Sequence, residues 1–271
     1  MNRIDARFQE LAQRGETAFI PYITAGDPTL AQTLKIVLEL ERAGCDVVEL
    51  GVPFSDPIAD GVVNQEASQR ALIHHVTLHD VVSLVRQLRK TSEIPVVLFT
   101  YYNPVLAYGA ESFAEDCNAA GVDGVLCVDL PPEEDDEYKK AMDAHGIATV
   151  FLAAPTSTSE RIAIIGKNST GFVYYVSRTG VTGERADIVS TVQGMVASIK
   201  RHTSTPVAVG FGISNAAQAA EVAGYADGVI VGSAIVRLIG IHGESAETPR
   251  KVFEFVKPLV DATKSRSSVN V

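Results

Sequence analysis

The 271-residue chain is 46% hydrophobic and 21% charged, a balance that supports a packed core and excludes disorder over its bulk. Lys and Arg number 23 against 33 Asp and Glu, a net charge of −10. That excludes a general binder of nucleic acid or anionic membrane, which needs a basic field, but not a small anion held by backbone amides. The cysteines Cys45, Cys117 and Cys127 form no Cys-x-x-Cys pair and no disulfide scaffold, and read as small buried hydrophobes.

In the first residues, Ile4, Phe8 and Leu11 recur at helical spacing, with Asp5 and Glu10 among the arginines. This predicts a short amphipathic helix packed on the body of the protein, and a cytoplasmic location. No run approaches about 18 uninterrupted apolar residues, so no membrane span is expected. Short β-branched runs then alternate with amphipathic stretches. Strands are predicted at residues 18–24, 47–50, 95–100, 124–128, 149–153, 171–176, 206–209 and 228–231. Helices are predicted at 30–43, 65–71, 78–90, 111–120, 133–145, 159–165, 188–200, 216–223 and about 249–262. Eight strands joined through helices imply parallel pairing, and this length favours a closed (β/α)8 TIM barrel with an extra N-terminal helix. One domain is expected over 1–264, with 265–271 a frayed tail. Three joints share a plan of helix end, Gly, Asp and strand: Gly44 with Asp46, Gly121 with Asp123, and Gly224 with Asp227. They read as architecture, the Gly closing each helix.

In such barrels the chemistry sits in the loops at the C-terminal ends of the strands. The loop after the second strand, residues 49–61, carries Glu49, Asp56 and Asp60. Alternation places Glu49 on the face of Val47. If that face is the barrel interior, Glu49 is a proton donor with a raised pKa or a structural acid bonded to loop amides. Asp56, before Pro57, reads as a turn initiator, and Asp60, before Gly61, as a cap for the next helix. The seventh strand ends in Gly210-Phe211-Gly212 and the eighth in Gly232-Ser233-Ala234, each leading into a helix. Glycine turns at helix N-termini on the last two strands predict a phosphate site, the alternative being two tight turns with no ligand. The Gly-punctuated loop 177–185 reads as a lid or a disordered turn. Of Tyr174 and Tyr175, one must face the interior. The six histidines are not spaced for a metal or for a nucleophile's base, and no metal site is expected. The acids of 133–137 read as a solvated helix start.

Several segments together resemble the alpha subunit of tryptophan synthase. They are residues 19–28, 49–61 with Gly51-Val52-Pro53-Phe54-Ser55-Asp56-Pro57, 100–104, 129–131, 177–183 with Ser177-Arg178-Thr179-Gly180-Val181-Thr182-Gly183, 210–213 and 232–234. The resemblance runs in order over nearly the whole chain. It implies a lyase that cleaves indole-3-glycerol phosphate by a retro-aldol step to indole and glyceraldehyde 3-phosphate. It implies Glu49 as general acid and base, and Asp60 as the carboxylate that holds the indole N–H. It further implies Tyr175 at the reacting end and Thr182 on a lid closing toward Asp60. The phosphate would lie on amides near Gly183, Gly212, Gly232 and Ser233, and Tyr22, Thr100, Tyr102 and Phe211 would shape the pocket. No cofactor is implied in this chain. The implied partner is a beta subunit carrying pyridoxal phosphate, in an alpha2beta2 heterotetramer. Two positions depart from the family's pattern: Val62 stands where Pro is usual, in a loop near the partner, and Tyr22 where Phe is frequent.

Overall fold

A computed structural model describes residues 2–134, 136–177, 185–210 and 212–264, without the side chains of 185–190. The strand segments are β1 Ala18–Thr24, β2 Val48–Gly51, β3 Val96–Thr100, β4 Gly124–Cys127, β5 Ala148–Thr149, β6 Leu152–Ala153, β7 Val173–Val176, β8 Val207–Gly210 and β9 Gly228–Val231. All pairings are parallel, in the order β5-β4-β3-β2-β1-β9-β8-β7-β6. The two ends of that order adjoin in sequence. The Val150 amide donates to the Val125 carbonyl at 3.0 Å, and the Tyr174 amide donates to the Phe151 carbonyl at 3.0 Å. The predicted fifth strand is thus one stave in two pieces, and through it the sheet closes into the eight-fold TIM barrel.

Alternation sorts the strand side chains into two layers. Ala18, Ile20, Val47, Val97, Leu126, Val150, Phe172, Ala208 and Ile230 fill the barrel. Phe19, Val48, Leu50, Val96, Leu98, Val173 and Tyr175 point out, into the core beneath the helices. The helix Arg3–Arg14 plugs the bottom: Ile4, Phe8 and Leu11 join the interior layer, and the Phe8 ring lies 5.9 Å from that of Phe172. Each such buried side chain contributes about 1.5–3 kcal/mol. The Asn2 side chain caps this helix by accepting from the Ile4 amide.

The three repeated joints also lie at the bottom. Each aspartate accepts from a backbone amide of the preceding strand in the sheet: Asp46 from Phe19 at 2.6 Å, Asp123 from Val96 at 2.8 Å, and Asp227 from Val207 at 2.9 Å. Asp46 also binds Arg7 and Lys264, so it ties the first and last helices to the barrel. Gly44 and Gly121 close their helices in the left-handed conformation, whereas Gly224 ends its helix at φ −66.

Two elements differ from expectation near the site. The helix after β2 spans Val62–Ile73, starting three residues before the predicted 65. A helix unforeseen in sequence, Tyr102–Tyr108, follows β3; its Pro104 lies in the first turn, where a missing N–H breaks no helical bond. The acidic segment enters its helix only at Asp136. No helix among the described residues is long and apolar enough to cross a membrane.

Candidate active site

The C-terminal ends of the strands surround a cleft of about 1040 Å3. Its inner wall is aromatic: Tyr22 from β1, Phe99 from β3 and Tyr174 from β7. Tyr22 and Phe99 meet edge to face at 5.3 Å. Glycines seat the two phenols. A Cβ on Gly51 would fall 2.2 Å from Tyr22 Oη, and one on Gly210 would fall 2.7 Å from Tyr174 Oη. Burial is the main cause that raises both phenols above the usual tyrosine range, so both stay protonated donors; the charge of Asp60 acts on each in the same direction, and that of Glu49 adds to it.

Glu49 lies in register with Tyr22 on β1 and Val97 on β3, on the interior face that it shares with Val47. It is fully buried and does not itself line the cleft, so it stands behind the aromatic wall. Neither carboxyl oxygen has a hydrogen-bond partner. The structural alternative, an acid bonded to loop amides, is therefore not what the fold builds. Desolvation pushes its pKa up to about 8. An unpaired buried carboxyl that is neutral at pH 7 is a proton donor held ready.

Asp60 lines the cleft half-buried. It does not cap the following helix: Gly61 takes that position, with no side-chain capping bond. Its carboxylate instead accepts from Tyr101 Oη at 3.0 Å, and the same phenolic oxygen accepts from the Ala59 amide at 3.0 Å. Phe54 stacks on the Tyr101 ring at 4.9 Å, and the Gln65 side chain donates to the Asp60 carbonyl at 3.0 Å. The loop is thus wound around Tyr101, which aims the aspartate. Asp56 makes the expected turn, its carbonyl accepting from the Ile58 amide. Val62 opens the helix at the position where proline is favoured, so the departure at 62 removes no hydrogen bond.

Three expected pocket residues lie elsewhere. Tyr175 shares the outward face of β7 with Val173 and is buried under the helices, while its neighbour Tyr174 lines the cleft. On β3, Val97 and Phe99 face in, so Thr100 faces out, its hydroxyl donating to the Tyr101 carbonyl at 3.0 Å. Tyr102 begins a helix and turns its ring edge to Tyr138, 6.3 Å away. On β7 and β3 the residue one place earlier lines the cleft, Tyr174 and Phe99, while Tyr101, one place before Tyr102, is buried and holds Asp60. A one-residue slip along a strand reverses every side chain.

After β8 and β9 the cleft rim holds Gly212, with φ 51, and Gly232 with Ser233. Gly232 caps the helix Ser233–His242 without a side-chain bond; its carbonyl accepts from the Ile235 and Val236 amides, which leaves the Ser233 and Ala234 amides for a ligand. The neighbouring helix Ala216–Ala223 differs: Asn215 accepts from the Gln218 amide, and the Gln218 side chain accepts from the Ser214 amide. Arg237, one turn beyond Ser233, is the one basic side chain among the described residues lining the cleft. Thr182, Gly183, Phe211 and most of the predicted lid lie outside the described residues. Among the described residues no cluster of His, Cys, Asp or Glu is placed to hold a metal.

The family model for the tryptophan synthase alpha chain matches residues 8–264. A tryptophan synthase alpha chain from Geobacter sp. (strain M21) is 50% identical over 259 residues, covering 96% of this chain and 97% of that one. The crystal structure of tryptophan synthase subunit alpha from Legionella pneumophila superposes with a TM-score of 0.90 at 38% identity, over 97% of this chain and 98% of that chain. A chain of the tryptophan synthase complex from Pyrococcus furiosus gives a TM-score of 0.83 at 39% identity, over 91% and 98%. By sequence and by fold, the chain belongs to the tryptophan synthase alpha chain family.

Proposed function

We propose that this chain is a cytoplasmic carbon–carbon lyase of tryptophan biosynthesis. It cleaves indole-3-glycerol phosphate to indole and glyceraldehyde 3-phosphate, with one barrel domain over 1–264. The observation that carries the reading is Glu49, a buried carboxyl with no partner and a pKa near 8, set behind the wall of a cleft whose rim holds a second carboxylate. Two carboxyls in such unlike surroundings divide the roles of acid and anion.

The reaction needs a proton on the ring carbon that bears the glycerol chain. Protonated Glu49 donates it, and the ring becomes a cation. Asp60, held by Tyr101, accepts from the indole N–H and offsets that charge. Glu49, now a carboxylate, takes the proton of the hydroxyl on the adjoining glycerol carbon. The carbon–carbon bond breaks, its electron pair returns to the ring, and the aldehyde forms. Tyr22, Phe99 and Tyr174 provide the wall for indole. Gly212, Gly232 and Ser233 cradle the phosphate with amides; Gly183 is assigned to the same phosphate, Thr182 to Asp60 and Phe211 to the indole pocket, all three outside the described residues. No step needs a cofactor in this chain.

We infer a beta-type partner subunit that carries pyridoxal phosphate, in an alpha2beta2 assembly that passes indole on. Exposed apolar side chains near the cleft support a docking face: Ile58 at 88% and Val62 at 68% flank Asp60 in the chain, and Leu106 at 62% lies on the helix after β3. The test is Glu49→Gln. Indole release should cease while indole-3-glycerol phosphate still binds; loss of binding together with turnover would make Glu49 structural.

A further inference from the structure

Asn64 lies on the helix Val62–Ile73 and lines the cleft, and its carboxamide oxygen is buried with no hydrogen-bond partner. Burying such an acceptor unpaired is unfavourable, so its persistence points to a partner that arrives with the ligand. The next residue shows that the loop does not need it: Gln65 already serves the carbonyls of Pro57 and Asp60.

The direction of the helices fixes what Asn64 faces. Ala67 packs with Val236 and Tyr22 in one small cluster. One turn further along, the Arg70 guanidinium lies against Gly240, where an added Cβ would come within 2.9 Å of it. From 67 to 70 and from 236 to 240 both helices advance together, so they run side by side in the same direction. One turn back, Asn64 stands opposite Gly232 and Ser233, the start of the phosphate cradle.

An acceptor there needs a donor. A phosphate dianion has none, and under the proposed function the indole N–H is held by Asp60 and the hydroxyl beside the ring gives its proton to Glu49. The donor left over is the hydroxyl on the middle glycerol carbon, between ring and phosphate. We propose that Asn64 is a specificity-determining residue whose carboxamide oxygen accepts a hydrogen bond from that middle hydroxyl, selecting a hydroxylated over a plain three-carbon phosphate. This inference rests on the lyase reading of the cleft.

The test compares glycerol 3-phosphate with n-propyl phosphate, which has no hydroxyl, by NMR titration of the wild-type chain and of Asn64→Leu. The wild type should prefer glycerol 3-phosphate, and the variant should bind it about five- to tenfold more weakly, as expected for the loss of one neutral hydrogen bond. Binding of n-propyl phosphate should stay unchanged, which also shows that the variant is folded. The same preference in both proteins, or equal weakening of both ligands, overturns the assignment. Indole release by the wild type is measured alongside. Release with an unchanged preference overturns only the role of Asn64; no release and no phosphate binding overturns the lyase reading and this inference with it.

Discussion

Replacing Glu49 by glutamine is expected to make the protein more stable, and increasingly so as the pH rises. Glutamine matches the shape of the protonated acid but never has to lose a proton in a fully buried place. Burial moves the carboxyl from its ordinary 4.5 to about 8 in the folded chain, while the unfolded chain keeps the ordinary value. Between these limits the folded state holds a proton that the unfolded state has released, so folding stability falls as pH rises. The slope is about 1.4 kcal/mol per pH unit, and the interval from 4.5 to about 8 bounds the total at about 5 kcal/mol. Urea unfolding of wild type and Glu49→Gln at pH 5, 6, 7, 8 and 9 measures it. The gap should be small at pH 5, widen by a few kcal/mol up to about pH 8 and then level off. A gap that does not change with pH would refute a desolvated, unpaired Glu49.

The aromatic assignments predict a division between neighbours. Tyr101→Phe removes the donor that holds Asp60 and should lower kcat for indole release at least tenfold, whereas Tyr102→Phe should leave it near wild type. Tyr174→Phe should raise KM or lower kcat, while Tyr175→Phe, under the helices, should change thermal stability and not the kinetics. Gly51→Ala drives a methyl group into Tyr22 Oη, so stability should drop by about 1–3 kcal/mol and KM should rise with it. Asp27 is buried and held by Arg70 through two 2.8 Å hydrogen bonds; Arg70→Leu strands that carboxylate and should destabilise the fold by about 3 kcal/mol in urea unfolding.

Much of this architecture is legible in the residues because it follows local rules. The β-branched runs at 18–24, 95–100 and 228–231 read as strands, and the Gly–Asp joints announce where helices hand over to them. Parity along β2 is readable too: Val47 inside puts Glu49 inside. The same parity carried along β3 and β7 selects Phe99 and Tyr174, yet the family pattern transferred by resemblance lands one residue later, on Thr100 and Tyr175. A single place is invisible in a motif and decisive on a strand. Tyr101 is harder to foresee, since its hold on Asp60 spans 41 residues and depends on how the loop folds over it. Asn64 gives no sequence signal at all: a polar residue in the first turn of a helix is ordinary, and only the packing of Ala67 on Val236 reveals where it looks.

The role of Glu49 as the acid and base of the lyase is decided by indole release from indole-3-glycerol phosphate by the purified chain, alone and with a beta subunit, for wild type and Glu49→Gln. The wild type should release indole and glyceraldehyde 3-phosphate in equal amounts, and Glu49→Gln none although the substrate still binds. No indole from the wild type in either mixture, or wild-type turnover by Glu49→Gln, would contradict it.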